Sequence, residues 1–220
     1  KQTGYPVVNV TWETNSKLNL AQERFLYSNK TNLNDTWLVP ISIVSGKSMD
    51  KVESFILNSE STTIDTPTDA NNGFMKVNYD TAGFYRVNYP NEHWKNLSEL
   101  INKQLLKPTD RLSVQSDAYA LAKARKISAT VFLELIKSYN NEKDFGVWSD
   151  LTTNMRSIDL LLRKTELGKI YRNMCVETLK PIGEKLGWEV SPNEGHLESL
   201  LRTTILSSLG SFGDKDTINK

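Results

Sequence analysis

The 220 residues are 38% hydrophobic and 24% charged, with a formal net charge of +1. That composition suits one large or two modest cores and excludes a disordered chain. The near balance of charge, with no strongly basic segment, argues against a general nucleic-acid binder. The longest apolar run, around Trp37 to Val44, falls far short of the roughly 20 residues a membrane-spanning helix needs.

The first ninety residues read as β-structure. Pro6 to Val10, Leu18 to Phe25, Trp37 to Val44 and Lys51 to Leu57 are short β-rich segments at fairly regular intervals. Turn-rich stretches separate them: Asn15-Ser16, Asn29 to Asp35, Ser45-Gly46 and Thr66 to Gly73. Pro40 cannot donate to a ladder, so it predicts an edge position or a bulge. From Phe74 to Tyr89 two runs alternate apolar and polar residues, Met75, Val77 and Tyr79 with Lys76 and Asn78, then Tyr85, Val87 and Tyr89 with Arg86 and Asn88. The spacing predicts a β-hairpin turning through Asp80 to Gly83, with Gly83 supplying a positive φ. An all-β antiparallel sandwich over 1–90 follows.

At Asn91 the period changes from two to between three and four. Trp94, Leu97 and Ile101 share a helix face behind an Asn91 N-cap. Pro108-Thr109-Asp110 restarts a helix through Leu112, Gln115, Ala118, Tyr119 and Ala122, and Ser128 caps the next, with Val131, Phe132, Leu135, Ile136 and Tyr139. Asp144 precedes Trp148, Leu151, Met155, Ile158 and Leu162. A helix over Glu166 to Leu186 should be kinked or divided at Pro181, and a last one runs from about Glu194 to Leu209 before the Gly210 to Gly213 terminator. Six consecutive amphipathic helices over 91–220 predict an all-α stack of HEAT or armadillo type. The polar stretch from Asp214 begins another helix, so the stack reads as truncated.

Candidate chemistry is sparse. His93 and His196 lack any histidine at metal-ligand spacing and read as helix-end surface or cap residues. Cys175 reads as a small apolar core residue, a reactive thiol being the other reading. Asp110 and Asp117 lie seven apart on one helix, a spacing that suits acid/base work but is more often caps and solvated surface. Arg86 reads as an outward strand residue or interdomain ion pair in preference to a carboxylate binder. Trp12 and Trp37 read as core in preference to a ligand-stacking pair. No phosphate-binding glycine loop occurs. The single cysteine precludes an intrachain disulfide and, with no signal-peptide pattern at the start, points to the cytoplasm. Four Asn-x-Ser/Thr sequons, at Asn9, Asn29, Asn34 and Asn96, point instead to an extracellular or membrane-anchored ectodomain.

In order along the chain, Thr3-Gly4-Tyr5-Pro6-Val7-Val8-Asn9-Val10, Gln22-Glu23-Arg24-Phe25, Trp37-Leu38-Val39-Pro40-Ile41 and Gly83-Phe84-Tyr85-Arg86-Val87-Asn88-Tyr89 resemble the β-sandwich domain of M1-family zinc aminopeptidases. Asp110-Arg111-Leu112, Asp117 to Ala122, Val147 to Leu151 and Gly195 to Arg202 resemble the start of that family's C-terminal helical domain. Pro181 to Trp188, with Asn193 to Arg202, is similar to the puromycin-sensitive branch, and the glutamyl aminopeptidase branch shares the first and fourth motifs. The resemblance implies an enzyme that removes N-terminal amino acids from peptides with a zinc-activated water. It implies that zinc and the catalytic residues belong to a domain outside these 220 residues, so the segment carries no catalytic, cofactor-binding or metal-binding residue and is inactive alone. The implied partners are peptides and the catalytic domain of the same chain, with self-association of the truncated stack. The alternative is a stand-alone protein-binding module built of a sandwich and a helical-repeat stack.

Overall fold

The computed structural model describes residues 3–28, 35–190 and 194–220. The sequons at Asn29 and Asn34, most of the turn between them and Asp35, and Asn193 lie outside the described residues. Strands come first: β1 Pro6–Thr14, β2 Lys17–Arg24, β3 Val39–Ser45, β4 Lys51–Leu57, β5 Ser61–Asp65, β6 Met75–Val77 and β7 Arg86–Asn88. Helices follow: α1 Asn91–Asn102, α2 Pro108–Lys123, α3 Ala129–Ile136, α4 Phe145–Leu162, α5 Glu166–Leu186, α6 His196–Phe212 and the short α7 Lys215–Ile218. By internal packing the chain forms two compact units, Lys1–Leu135 and Ile136–Lys220.

In the first unit one sheet has the order β5-β2-β1-β7 and the other β4-β3-β6. β1 and β2 form a long antiparallel pair from Pro6 opposite Arg24 to Thr14 opposite Lys17. Alternate residues along it, Val8, Val10, Leu18 and Leu20, are buried, as a sheet with one covered face requires. In the second sheet Ile41, Ile43 and Leu57 do the same. Pro40 sits opposite Ile56 on β4, at a point of β3 that β6 does not reach, because β6 pairs only with Ile43, Val44 and Ser45. β3 is locally an edge there, and the missing N–H leaves no gap in a ladder.

The expected hairpin from Phe74 to Tyr89 does not form. β6 pairs antiparallel with β3, whereas β7 pairs parallel with β1, so the two runs belong to different sheets and the strand set is mixed. Asn78 is the reason. It stays attached to β3 through its amide, which donates to the Ser42 carbonyl at 2.7 Å, and then turns left-handed at φ 65. Its side chain takes the place of the hairpin ladder: Oδ1 accepts from the Gly83 amide at 2.9 Å, and Nδ2 donates to the Gly83 and Tyr85 carbonyls at 3.0 and 3.3 Å. The positive φ values fall on Asn78, Asp80 and Thr81 and not on Gly83. Gly83 is required for space, since a Cβ there would lie 2.2 Å from the Tyr85 ring. β5 was not expected from the sequence; it is a half-buried edge strand of Ser and Thr pairing with β2.

Helix boundaries follow the periodicity closely. α1 begins at Asn91 with Pro90 in the cap position, one residue earlier than the expected cap. Pro108 opens α2 at its first turn, where a missing N–H costs nothing. The Asp144 carboxylate accepts the Val147 amide at 3.0 Å and caps α4, and Gly213 ends α6 left-handed at φ 91. α5 departs from expectation by running undivided through Pro181. Buried Thr178 and Leu179 before the proline, and Ile182 and Gly183 after it, hold both halves in the interior of the second unit. Gly183 lets α6 approach so closely that a Cβ would meet Leu209 Cδ1 at 2.6 Å. Among the described residues no helix is long and apolar enough to cross a membrane.

Candidate functional site

The densest polar chemistry lies where β6, β7 and the turn between them meet α2. Lys76 on β6 is 2% exposed, and its ammonium sits 2.7 Å from Asp110 Oδ1 while also donating to the Asn78 carbonyl. The same Asp110 oxygen accepts the Asp80 amide at 2.8 Å. Asp80 in turn accepts from the Thr109 hydroxyl at 2.5 Å and from Lys107 at 3.0 Å, while the Thr81 hydroxyl donates to the Thr109 carbonyl at 3.0 Å. These bonds fix a turn whose left-handed Asp80 and Thr81 would otherwise be costly.

Arg86 on β7 forms the second pair. Its Nη1 lies 2.9 Å from Asp117 Oδ1 and 3.2 Å from the Ser116 carbonyl, and its Nε donates to the Tyr5 hydroxyl at 3.2 Å. Asp117 Oδ2 accepts the Val87 amide at 3.0 Å. Burial pushes the Asp117 carboxyl up to about 6, against the pull of Arg86 and of the Val87 amide. Burial likewise draws the Lys76 ammonium below its ordinary value, with Asp110 opposing.

Asp110 and Asp117 are therefore neither solvated nor mere caps, as the sequence had suggested; both are buried and paired with strand cations. Arg86 makes an ion pair, as one of its two readings had it, but the pair lies within the first compact unit. His93 is a correction too. It is buried, its Nε2 lies 2.8 Å from the Met75 carbonyl, its ring stacks with Tyr89 at 5.0 Å, and burial lowers its pKa to about 4. His196 is exposed at the first turn of α6. Trp12 packs against His93 at 5.2 Å and Trp37 lies under the Arg24 guanidinium at 5.4 Å, so each has its own partner. Cys175 is fully buried in α5, where desolvation pushes its thiol up to about 12.

Lys76 is the member of this cluster that strand alternation missed. The pattern put it on the outer face, yet Met75, Lys76 and Val77 are all buried. The signal that could have found it is the pair of aspartates at the start and middle of α2, which need cations somewhere. Lys76 with Asp110, Arg86 with Asp117 and Lys107 with Asp80 each form an ion pair. Among the described residues no three His, Cys, Asp or Glu side chains gather closely enough to hold a metal ion.

Ion pairs thus join β6 and β7, one strand from each sheet, to α2. The chain belongs to the family of ERAP1-like C-terminal domains, whose pattern matches residues 74–220. It is similar to Aminopeptidase M1-A of Oryza sativa subsp. japonica, 32% identical over 228 residues that cover all of this chain and 26% of the relative. Aminopeptidase M1 of Arabidopsis thaliana is 32% identical with the same coverage, and Glutamyl aminopeptidase of Homo sapiens is 30% identical over all of this chain and 23% of its own length. The chain spans about a quarter of the length of the relatives it matches.

Proposed function

We propose that this chain is the spacer and the opening part of the C-terminal helical domain of a zinc aminopeptidase that removes N-terminal amino acids from peptides. In this reading residues 1–90 form the sandwich spacer and 91–220 the first part of a HEAT-like bowl. The catalytic domain and its zinc lie elsewhere in a longer protein, and the bowl restricts which peptides reach them. The observation that carries the reading is the fate of the polar groups between the last strands and α2: Lys76, Asp110, Arg86 and Asp117 are spent on each other and on backbone amides. Residues committed in that way transmit position and do no chemistry. The names of the relatives, all aminopeptidases, support the class of enzyme. The cytoplasm and the puromycin-sensitive branch remain part of the proposal on the single cysteine and the Pro181 to Trp188 motif.

The test is hydrolysis of an aminoacyl-anilide by the 220-residue chain with added zinc, in parallel with a version extended upstream in its reading frame. The proposal expects turnover only in the extended protein, abolished by a chelator. Robust chelator-sensitive turnover by the 220 residues alone would overturn it, as would an upstream frame that lacks a His-Glu-x-x-His helix.

A further inference from the structure

The second unit carries an exposed apolar corner where α4 gives way to α5. Leu160 and Leu161 on the last turn of α4 are 60% and 77% exposed, and Leu167 and Ile170 at the start of α5 are 59% and 67% exposed. The corner itself is tightly tied. A Cβ at Gly168 would lie 2.5 Å from the Leu162 carbonyl oxygen, and the Thr165 hydroxyl donates to that same carbonyl at 2.7 Å. Just below the apex Asp159 grips the Arg172 guanidinium at 2.6 and 3.0 Å, joining the two helices. The four aliphatic side chains thus project from a braced turn and not from a frayed helix end. Large aliphatics gathered in the open mark a surface that something covers.

The charges beside them narrow the kind of partner. Arg163, Lys164 and Lys169 are exposed, and their side chains make no ion pair among the described residues. From Asp159 to Arg172 four cations stand against two carboxylates, a net of +2, whereas the whole chain carries only +1. Positive charge is therefore concentrated at this corner, and the rest of the chain is slightly acidic.

We propose that the corner is a docking site for the surface of an anionic lipid bilayer, with Leu160, Leu161, Leu167 and Ile170 inserted at the level of the acyl chains. Arg163, Lys164 and Lys169 then lie along that apolar surface by their stems and reach the anionic headgroups with their charged ends. Three observations favour this occupant. Clefts in this unit are lined by the C-terminal half of α5, by α6 and by the start of α4, at the other end of the helices, so the corner meets its partner as a protrusion. A bilayer yields around a protrusion. The exposed side chains are purely aliphatic, with no polar end for a protein partner to satisfy, and hydrocarbon covers them fully. Finally, twofold pairing with a second copy would set these unpaired cations against their own kind, whereas an anionic surface complements them. The corner rests on the membrane without crossing it, since among the described residues no helix is long and apolar enough to span. The inference goes beyond the aminopeptidase reading and needs only the second unit.

The experiment is co-sedimentation of the 220-residue chain with vesicles of phosphatidylcholine alone and of phosphatidylcholine mixed equally with phosphatidylserine. Partition to the anionic vesicles is expected to be at least about tenfold stronger and to fall as salt rises. Leu161→Ser and Ile170→Ser, both at exposed positions, should each weaken it about tenfold while circular dichroism stays unchanged. Lys164→Gln and Lys169→Gln should each weaken it about fivefold. Equal partition to both vesicles, no partition at all, or indifference to Leu161→Ser would overturn the proposal. So would self-association that Leu161→Ser abolishes, which would make the occupant a second copy. Loss of binding in a version of the protein extended upstream would overturn it as well, because the rest of the protein would then cover the corner.

Discussion

The Asp117 carboxylate on α2 holds β7 by two atoms at once, the Arg86 guanidinium at 2.9 Å and the Val87 amide at 3.0 Å. One side chain thereby fixes both the side chain and the backbone of the strand that runs parallel to β1. Asp117→Ala strands a half-buried guanidinium and a buried N–H, an error that costs about 2–4 kcal/mol. Asp117→Asn keeps an acceptor for Val87 and should cost about 1–3 kcal/mol. Urea unfolding at constant slope measures both. An alanine variant within 1 kcal/mol of the parent, on the scale of an exposed pair, would show that the clamp carries no weight.

Between pH 7 and 5 two buried groups of this unit, Asp117 and His93, respond to acid with opposite signs. Asp117 titrates near 6 in the fold against an ordinary 3.8, so the folded state takes up its proton first and stability rises as pH falls through 6. His93 titrates near 4 against an ordinary 6.5, so its contribution is present above 6.5 and is lost as pH falls toward 4. Each shift is worth on the order of 3 kcal/mol, and they largely cancel. Between pH 7 and 5 the parent should therefore change little. Asp117→Asn leaves the histidine loss exposed and should destabilise on acidification, whereas His93→Gln should stabilise. Urea midpoints at the two pH values decide it, and parallel slopes for both variants would refute the cancellation.

Much of the helical run was legible because its signals are local. Pro108, Ser128, Asp144 and Gly213 punctuate helices whose apolar faces repeat at three and four, and α2, α3, α4 and α6 start or stop where those residues say. The strand pairing was not legible. Phe74 to Tyr89 carries two alternating runs and a short turn, and nothing in the alternation reveals that Asn78 will spend its side chain on Gly83 and Tyr85 and send the runs to different sheets. Pairing depends on which distant strand offers an edge, a property of β1 and β3 and not of the turn. The ion pairs were hidden for the same reason. Lys76 and Asp110 are 34 positions apart in sequence, and neither residue type alone announces burial.

Two helical glycines should respond in opposite directions to alanine. At Gly210 in α6 a Cβ would meet only Thr217 Cγ2, at 3.8 Å, an ordinary contact. Gly210→Ala should therefore gain about 0.5–1 kcal/mol from helix propensity. At Gly183 in α5 the same Cβ would sit 2.6 Å from Leu209 Cδ1, in a buried contact with little room to yield. Overpacking costs about 1–3 kcal/mol and should outweigh the propensity gain. Thermal unfolding of the two variants should move in opposite senses. A stabilised Gly183→Ala would mean that α5 and α6 can separate freely at that point.

The Cys175 thiol is a ready reporter of the second unit. It lies on the buried face of α5 together with Tyr171 and Leu179, and burial pushes its pKa up to about 12. Only the thiolate attacks a disulfide reagent, so at pH 8 both access and ionisation are suppressed in the fold. Ellman's reagent should leave the native chain unmodified for hours and titrate one thiol at once in 6 M guanidinium. At intermediate denaturant the labelling rate should track the opening equilibrium of α5. Rapid stoichiometric labelling of the native chain would contradict the burial of this helix face and would return the reactive-thiol reading of Cys175 to consideration. Loss of any peptidase activity on Cys175→Ala in a refolded, correctly helical variant would then be the decisive sign of nucleophilic chemistry.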